Sequence, residues 1–312
     1  MSEEQLTLID VESKEVLEFQ LQNYMPLTDV TFLVPLRIES PDRMRNIITS
    51  MIYLLRNFDT KVIIKEVDVE SIFEKSALPQ ITAGVGDSEK MKNLTHIFEQ
   101  SDEFVFHRTR IINDMILEAD TPIVVNYDSD ILLPKESYLG AADLIRNGYY
   151  NPDFPDKDPE PIKVVYPYGY GNWQYQVTAT DSEVSEFINS NFNFTAFKNT
   201  RQYDAKFGFC QFFDREEYIR CGMENENFIS YGYEDDERYY RFNLLSHVAR
   251  LNDYIFHLEH VRSQNSWFTN PHIESNRKLW DTLKTREKEQ LEEYYSNQSY
   301  LKARRTLSGG QE

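Results

Sequence analysis

The chain has 312 residues, 40% of them hydrophobic and 14% aromatic, enough for one large domain or two small ones around a sizeable core. Lys and Arg number 33 against 52 Asp and Glu, a net charge of −19 that repels a phosphate backbone and argues against a nucleic-acid partner. A small anionic ligand would need a metal ion or a few placed arginines to offset that field.

Met1–Asp29 is acidic and mixed, without the basic flank and apolar stretch of a signal peptide, and no later run approaches bilayer length. The expectation is a cytoplasmic protein with no transmembrane segment. Residues 1–28 read as an N-terminal extension, 29–272 as the main domain and 273–312 as a C-terminal helix and tail. Val30–Pro35 is short, apolar and β-branched, a strand; Pro41–Phe58 is a helix with Ile47, Ile48, Met51, Leu54 and Leu55 at helical spacing. Lys61–Val67 predicts a second strand, Thr109–Ala119 a helix with Ile111, Ile112, Met115 and Ile116 inward, and Pro122–Tyr127 a third strand. This alternation is that of an α/β fold with a parallel sheet and helices on its faces, whose ligands bind beyond the carboxyl ends of the strands. Asp128–Asp130 lies at one such end. Asn151–Pro161 is rich in turn residues and joins a first half ending near 150 to a second starting near 160. Tyr239–Leu245 reads as a helix, Glu274–Tyr295 as one charged surface helix, and Thr306–Glu312 as a small polar tail.

Cys210 and Cys221, the only cysteines, are too few for a disulfide framework and lack the spacing of a structural zinc site, which fits a reducing compartment. Residues two apart on a strand face the same side, so Asp128 and Asp130 would project together, about 6.6 Å apart along the chain. Such a pair suits a metal ion and a sugar hydroxyl; Asp-x-Asp is also a common way to begin a loop. Ile255-Phe256-His257-Leu258-Glu259-His260 carries two imidazoles that an extended strand sends to opposite faces, so joint metal binding with Asp130 requires a bend there. Without the bend each is an ordinary satisfied histidine. Tyr231-Gly232-Tyr233-Glu234-Asp235-Asp236-Glu237-Arg238 sets acids behind aromatics and a glycine. A helix dipole alone accounts for acids in a first turn, whereas the aromatic rim points to a sugar site, where ring faces stack on pyranose CH groups.

In their order along the chain, these clusters resemble the β-1,4-galactosyltransferases and the related N-acetylgalactosaminyltransferase domains of chondroitin synthases, over roughly Thr31 to Asn265. The resemblance implies a GT-A fold: a Rossmann-like, nucleotide-sugar-binding mixed sheet flanked by helices, here with a C-terminal helical extension. Leu33-Val34-Pro35-Leu36-Arg37 looks like the family's first strand and turn, which assigns Pro35 and Arg37 to the uracil nucleotide. Phe106-His107-Arg108 is similar to its Phe-x-Arg helix start, with Phe106 near the base and Arg108 on the nucleotide. The resemblance then assigns the donor contact to Asp128 and the metal to Asp130. Gly208 matches the first of two donor-side glycines, while Phe209 replaces the second and Lys206 an aromatic neighbour, which leaves galactose, N-acetylgalactosamine and glucose donors open. In the aromatic-Gly-x-Glu-Asp-Asp block, Asp235 is the implied catalytic base, Glu234 a donor contact, and Tyr231 and Asp236 acceptor contacts. His260 matches a metal-binding histidine and His257 stands where the family has methionine, an exchange a borderline metal accepts.

The implied reaction is an inverting, metal-dependent transfer of a hexose or N-acetylhexosamine, galactose or N-acetylgalactosamine favoured, from a UDP-sugar to a glycan hydroxyl. Manganese is the implied ion and magnesium the alternative. Paired carboxylates and histidines also serve metal-dependent phosphoesterases and nucleotidyltransferases, and a non-catalytic glycan-binding protein can retain such a fold.

Overall fold

The computed structural model describes residues 5–9, 16–20, 26–151, 154, 157–262 and 269–308. Parts of four expected segments fall outside the described residues: most of the extension 1–28, four positions of the turn-rich join (152, 153, 155 and 156), positions 263–268 of the main domain 29–272, and the end of the tail from 309. The strands are β1 (Gln5–Ile9), β2 (Val16–Gln20), β3 (Val30–Leu36), β4 (Lys61–Asp68), β5 (Leu94–Gln100), β6 (Ile123–Tyr127), β7 (Ile131–Leu132), β8 (Val164–Tyr166), β9 (Gln174–Val177), β10 (Thr200–Gln202), β11 (Cys210–Asp214), β12 (Val248–Leu251) and β13 (Ile255–Leu258). The helices are α1 (Pro41–Asn57), α2 (Leu78–Val85), α3 (Ser88–Met91), α4 (Arg108–Glu118), α5 (Lys135–Asn147), α6 (Asp181–Asn189), α7 (Arg215–Arg220), α8 (Glu234–Leu245), α9 (Ile273–Leu283), α10 (Lys288–Ser296) and α11 (Ser299–Ser308). Among the described residues, no helix is long and apolar enough to cross a membrane.

A nine-stranded sheet runs β2-β1-β12-β8-β11-β6-β3-β4-β5. Its β5-β4-β3-β6 portion is parallel, as the strand-helix alternation predicts. Every residue of β3 and β6 is buried, the unbroken burial of parallel strands covered on both faces, and Thr31 and Asn126 are the polar residues among them. Beyond β6 the sheet is mixed, not all-parallel: β11 pairs antiparallel with β6 and with β8, because the chain re-enters through connections that the short-range pattern does not register. One sheet therefore takes strands from both sides of the turn-rich join. The helix after β3 begins cleanly, with Pro41 in its first turn and the Ser40 side chain accepting the Arg43 N–H.

A second, four-stranded sheet, β10-β9-β13-β7, stands beside the first. In it β13 pairs with β7, placing His257 opposite Ile131, directly after Asp130. The C-terminal segment differs from the single surface helix expected over 274–295. It breaks into α9 and α10 because Glu287 caps a new helix through a capping box with Gln290, and Leu283, Leu291 and Tyr295 are buried. A third helix, α11, reaches into the expected tail as far as Ser308.

Candidate active site

A cleft of about 570 Å³ opens where the carboxyl ends of β3 and β6 meet the second sheet and the start of α8, and it collects side chains from every motif noted above. Asp128-Ser129-Asp130 is a turn rather than an extension of β6, since the Asp128 carbonyl accepts the Ile131 N–H at 3.3 Å. The alternation of a strand is therefore not what turns Asp128 and Asp130 to one side. The turn itself does so, held by Asp128 N–H on the Phe209 carbonyl at 2.9 Å and by Ser50 Oγ on the Ser129 carbonyl at 2.8 Å.

The bend required between the two histidines exists: β13 ends at Leu258, and His260 comes round from the following turn. Leu258 N–H donates to the Asp130 carbonyl at 2.8 Å, and Asn46 of α1 donates to the Leu258 carbonyl at 2.7 Å, which fixes the turn against the Asp130 loop. His257 Nε2 then lies 3.6 Å and His260 Nε2 3.1 Å from Asp130 Oδ2. Ligands about 2.1 Å from a common ion stand roughly 3.0–3.5 Å apart, so the carboxylate and two imidazoles fit a divalent metal and leave coordination positions open. His260 Nδ1 sits 2.9 Å from the Val261 carbonyl, a contact that commits its proton there and frees Nε2 for a ligand role. Burial disfavours a charge on Asp130, but the two imidazoles outweigh it and hold the carboxyl well below its usual range. Burial likewise opposes a charge on His257, and Asp130 overrides it to raise the imidazole.

Next to this trio, Arg108 at the start of α4 donates to Asp128 Oδ1 at 2.5 Å, and its other arm, Nη1, reaches 3.9 Å from Asp235 Oδ1. Burial raises the Asp128 carboxyl and Arg108 opposes that shift, while Asp130 and Asp235 reinforce it. Arg37 spends its guanidinium on the Val67 and Phe104 carbonyls and lies 5.2 Å from the centre of the Phe106 ring, so it props that ring at the cleft wall. Pro35 lines the same wall.

Asp235 occupies the first turn of α8, which starts at Glu234, five residues before the expected Tyr239. Its Oδ1 accepts from the fully buried Arg238 one turn on. Its Oδ2 lies so close to Gly208 that a Cβ there would stand 2.9 Å away. Before the helix, Gly232 adopts φ +116, a conformation open to glycine, and its N–H donates to the Glu234 carboxylate at 2.6 Å. Burial, with Asp235 adding to it, pushes the Glu234 carboxyl up to about 8.

Of the residues singled out in sequence, Pro35, Arg37, Phe106, Arg108, Asp128, Asp130, Gly208, Tyr231, Glu234, Asp235, His257 and His260 all line the cleft. Asp236 does not, because on a helix the residue next to Asp235 points about 100° away. Phe209 keeps a glycine-like φ of +75 and stacks on His257 with ring centres 5.4 Å apart. Sequence reasoning missed Glu39, Arg43, Gln176, Tyr203 and Glu259, which reach the cleft from separate elements, and Arg238, whose i+3 spacing from Asp235 was a readable signal.

No protein-family model matches the chain, and no curated protein matches it. Among solved structures it is similar to mannosyltransferase PcManGT from Pyrobaculum calidifontis in complex with GDP-Man and Mn2+, at 16% identity and a TM-score of 0.45, over 78% of this chain and 59% of that one. It is similar to the catalytic domain of Drosophila beta1,4-galactosyltransferase 7 in complex with xylobiose, at 14% identity and a TM-score of 0.39, over 75% of this chain and 71% of that one. It is also similar to GalNAc-T7 with UDP, GalNAc and Mn2+, at 10% identity and a TM-score of 0.48, over 84% of this chain and 49% of that one.

Proposed function

We propose that this chain is a metal-dependent, inverting glycosyltransferase of the GT-A type. It moves a hexose or N-acetylhexosamine, galactose or N-acetylgalactosamine favoured, from a UDP-sugar to a glycan hydroxyl. The observation that carries the reading is the convergence in one cleft of a three-residue metal set and a separate carboxylate, Asp235, with Arg108 spanning from Asp128 to within 3.9 Å of it. A phosphoesterase site would not need that second acid station beside an aromatic rim.

A divalent ion held by Asp130, His257 and His260, manganese by the mixed nitrogen and oxygen donor set, would neutralise charge on the nucleotide diphosphate. The remaining work falls to side chains. Phe106, propped by Arg37, supports the base, and Arg108 and Asp128 hold the donor. Tyr231, 49% exposed at the cleft, offers its ring to the acceptor sugar. Asp235 Oδ2 takes the proton of the acceptor hydroxyl as that oxygen bonds to the anomeric carbon, and the bond to the diphosphate breaks on the opposite face. Glu234, protonated near neutral pH, adds a hydrogen-bond donor without a further negative charge.

The test is a panel of nucleotide sugars incubated with manganese and glycan acceptors, with the released nucleotide identified. Nucleoside diphosphate is the expected product, and nucleoside monophosphate would mark a phosphoesterase or nucleotidyltransferase instead. Asp235→Asn should bind UDP with manganese yet lose transfer by about 1,000-fold, while Asp130→Asn should lose the metal-dependent binding itself. Full transfer by Asp235→Asn would sink the base assignment.

A further inference from the structure

We propose that Arg238 is the positioning residue for the base: it clamps Asp235 Oδ1 and so presents Oδ2 to the acceptor, tying the base to the strand that carries the Asp128–Asp130 turn. The inference rests on the reading of Asp235 as base.

An aspartate in a first helical turn is satisfied by the helix dipole and by water, and left to itself it samples several rotamers. Asp235 is held differently. Arg238 follows it by three residues, on the same face of α8, and its side chain is fully buried. Arg238 Nη2 donates to Asp235 Oδ1, and Nη1 donates to Glu224 Oε2 at 2.8 Å. Glu224 is itself buried and accepts from the Tyr218 hydroxyl and, at 3.4 Å, from Asn126 Nδ2. Asn126 also donates to the Tyr218 hydroxyl at 2.7 Å and belongs to β6, two residues ahead of Asp128.

A continuous set of buried, charge-assisted bonds thus leads from the donor strand to the base. It is stiff for an energetic reason: if Arg238 swings away, it strands its own charge and that of Glu224 in the core, and neither loss is recovered by water. Arg108 Nη1 also stands 3.9 Å from the same oxygen, Oδ1. Both arginines address Oδ1, and Oδ2 is left beside Gly208 at the cleft surface. Arg238 is fully buried and does not line the cleft, so it acts through Asp235.

The experiment compares Arg238→Lys, Arg238→Met and the double variant Arg238→Met/Glu224→Gln, which removes both buried charges so that the fold survives where the single methionine variant does not. UDP-galactose with manganese is the probe, and UDP release is read together with UDP affinity by calorimetry. The expected result is unchanged UDP affinity and donor KM, with kcat down about 100-fold in the double variant and partly restored by lysine. A crystal structure of the double variant should find the Asp235 carboxylate turned away from Gly208. Parental kcat in the double variant, or an Asp235 carboxylate still fixed beside Gly208, overturns the clamp. Turnover retained by Asp235→Asn indicts the base reading instead, so the two failures are told apart.

Discussion

Gly208 shows how tightly the cleft is drawn around Asp235. Its carbonyl is pinned by the Tyr168 hydroxyl and, at 2.5 Å, by Gln211 Nε2, so the backbone has no slack to accommodate a methyl group. Gly208→Ala would put Cβ 2.9 Å from Asp235 Oδ2, and the carboxylate, already held by Arg238, would have to give way. Transfer should fall on the order of 100-fold while thermal stability and UDP binding stay near parental; an alanine variant with full kcat would contradict this packing. Glu234 makes a prediction about pH. Its carboxyl rises from an ordinary 4.5 to about 8 in the fold, so between those values the native state holds more protons than the unfolded one. Its contribution to stability therefore declines as pH rises from about 4.5 to about 8. Glu234→Gln should remove that slope, and urea midpoints at pH 5 and pH 8 would show the parent losing ground to the variant. Parallel midpoints would refute it.

Among the elements, α9 gives the C-terminal segment a role that its charged, surface-like sequence concealed. Asn276 is buried, and its amide donates to the Ile229 and Gly232 carbonyls at 3.0 and 3.2 Å while its Oδ1 accepts the Ile229 N–H at 3.2 Å. These bonds brace a loop with positive φ at Ser230, Gly232 and Tyr233, just ahead of the first turn of α8. Asn276→Ala should cost about 1–3 kcal/mol of stability through unpaired backbone groups. It should also raise the acceptor KM more than the donor KM, because Tyr231 lies in the braced loop; equal effects on both would remove the link to the acceptor. Helical spacing alone does reveal α1 and α4, and short runs dominated by apolar and β-branched residues reveal β3, β4 and β6. The short strands β7, β9, β10 and β13 have no such signature, since two to four residues carry too little periodicity to read.

At the scale of the whole molecule, the site belongs to no single segment. The candidate metal set joins a turn after β6 to a strand and turn more than a hundred residues later, and Asp235 arrives on a helix between them. Anything that binds the assembled cleft and not the unfolded chain must stabilise the protein. UDP with manganese at 100 times its Kd should add about 2.7 kcal/mol to the unfolding free energy. The gain should be lost with a chelator and absent in Asp130→Asn. Equal stabilisation by UDP in the presence of chelator would show that Asp130, His257 and His260 do not carry the metal.

By itself, the sequence determined the parallel portion of the sheet, because buried strands and amphipathic helices write their periods locally. It also determined which residue types gather at the strand ends. It did not determine why Asp128 and Asp130 point together, which is the doing of a turn locked by Phe209, Ser50 and Leu258. Nor did it determine that His257 and His260 share a partner, which requires β13 to end at Leu258 and to pair with β7. The buried join of Arg238 to Glu224 was beyond it as well, since a hydrogen bond between residues 14 apart depends on how α8 packs against β11, where Phe242 meets Phe213. Those contacts are long-range, and only the closed tertiary structure brings their partners within bonding distance.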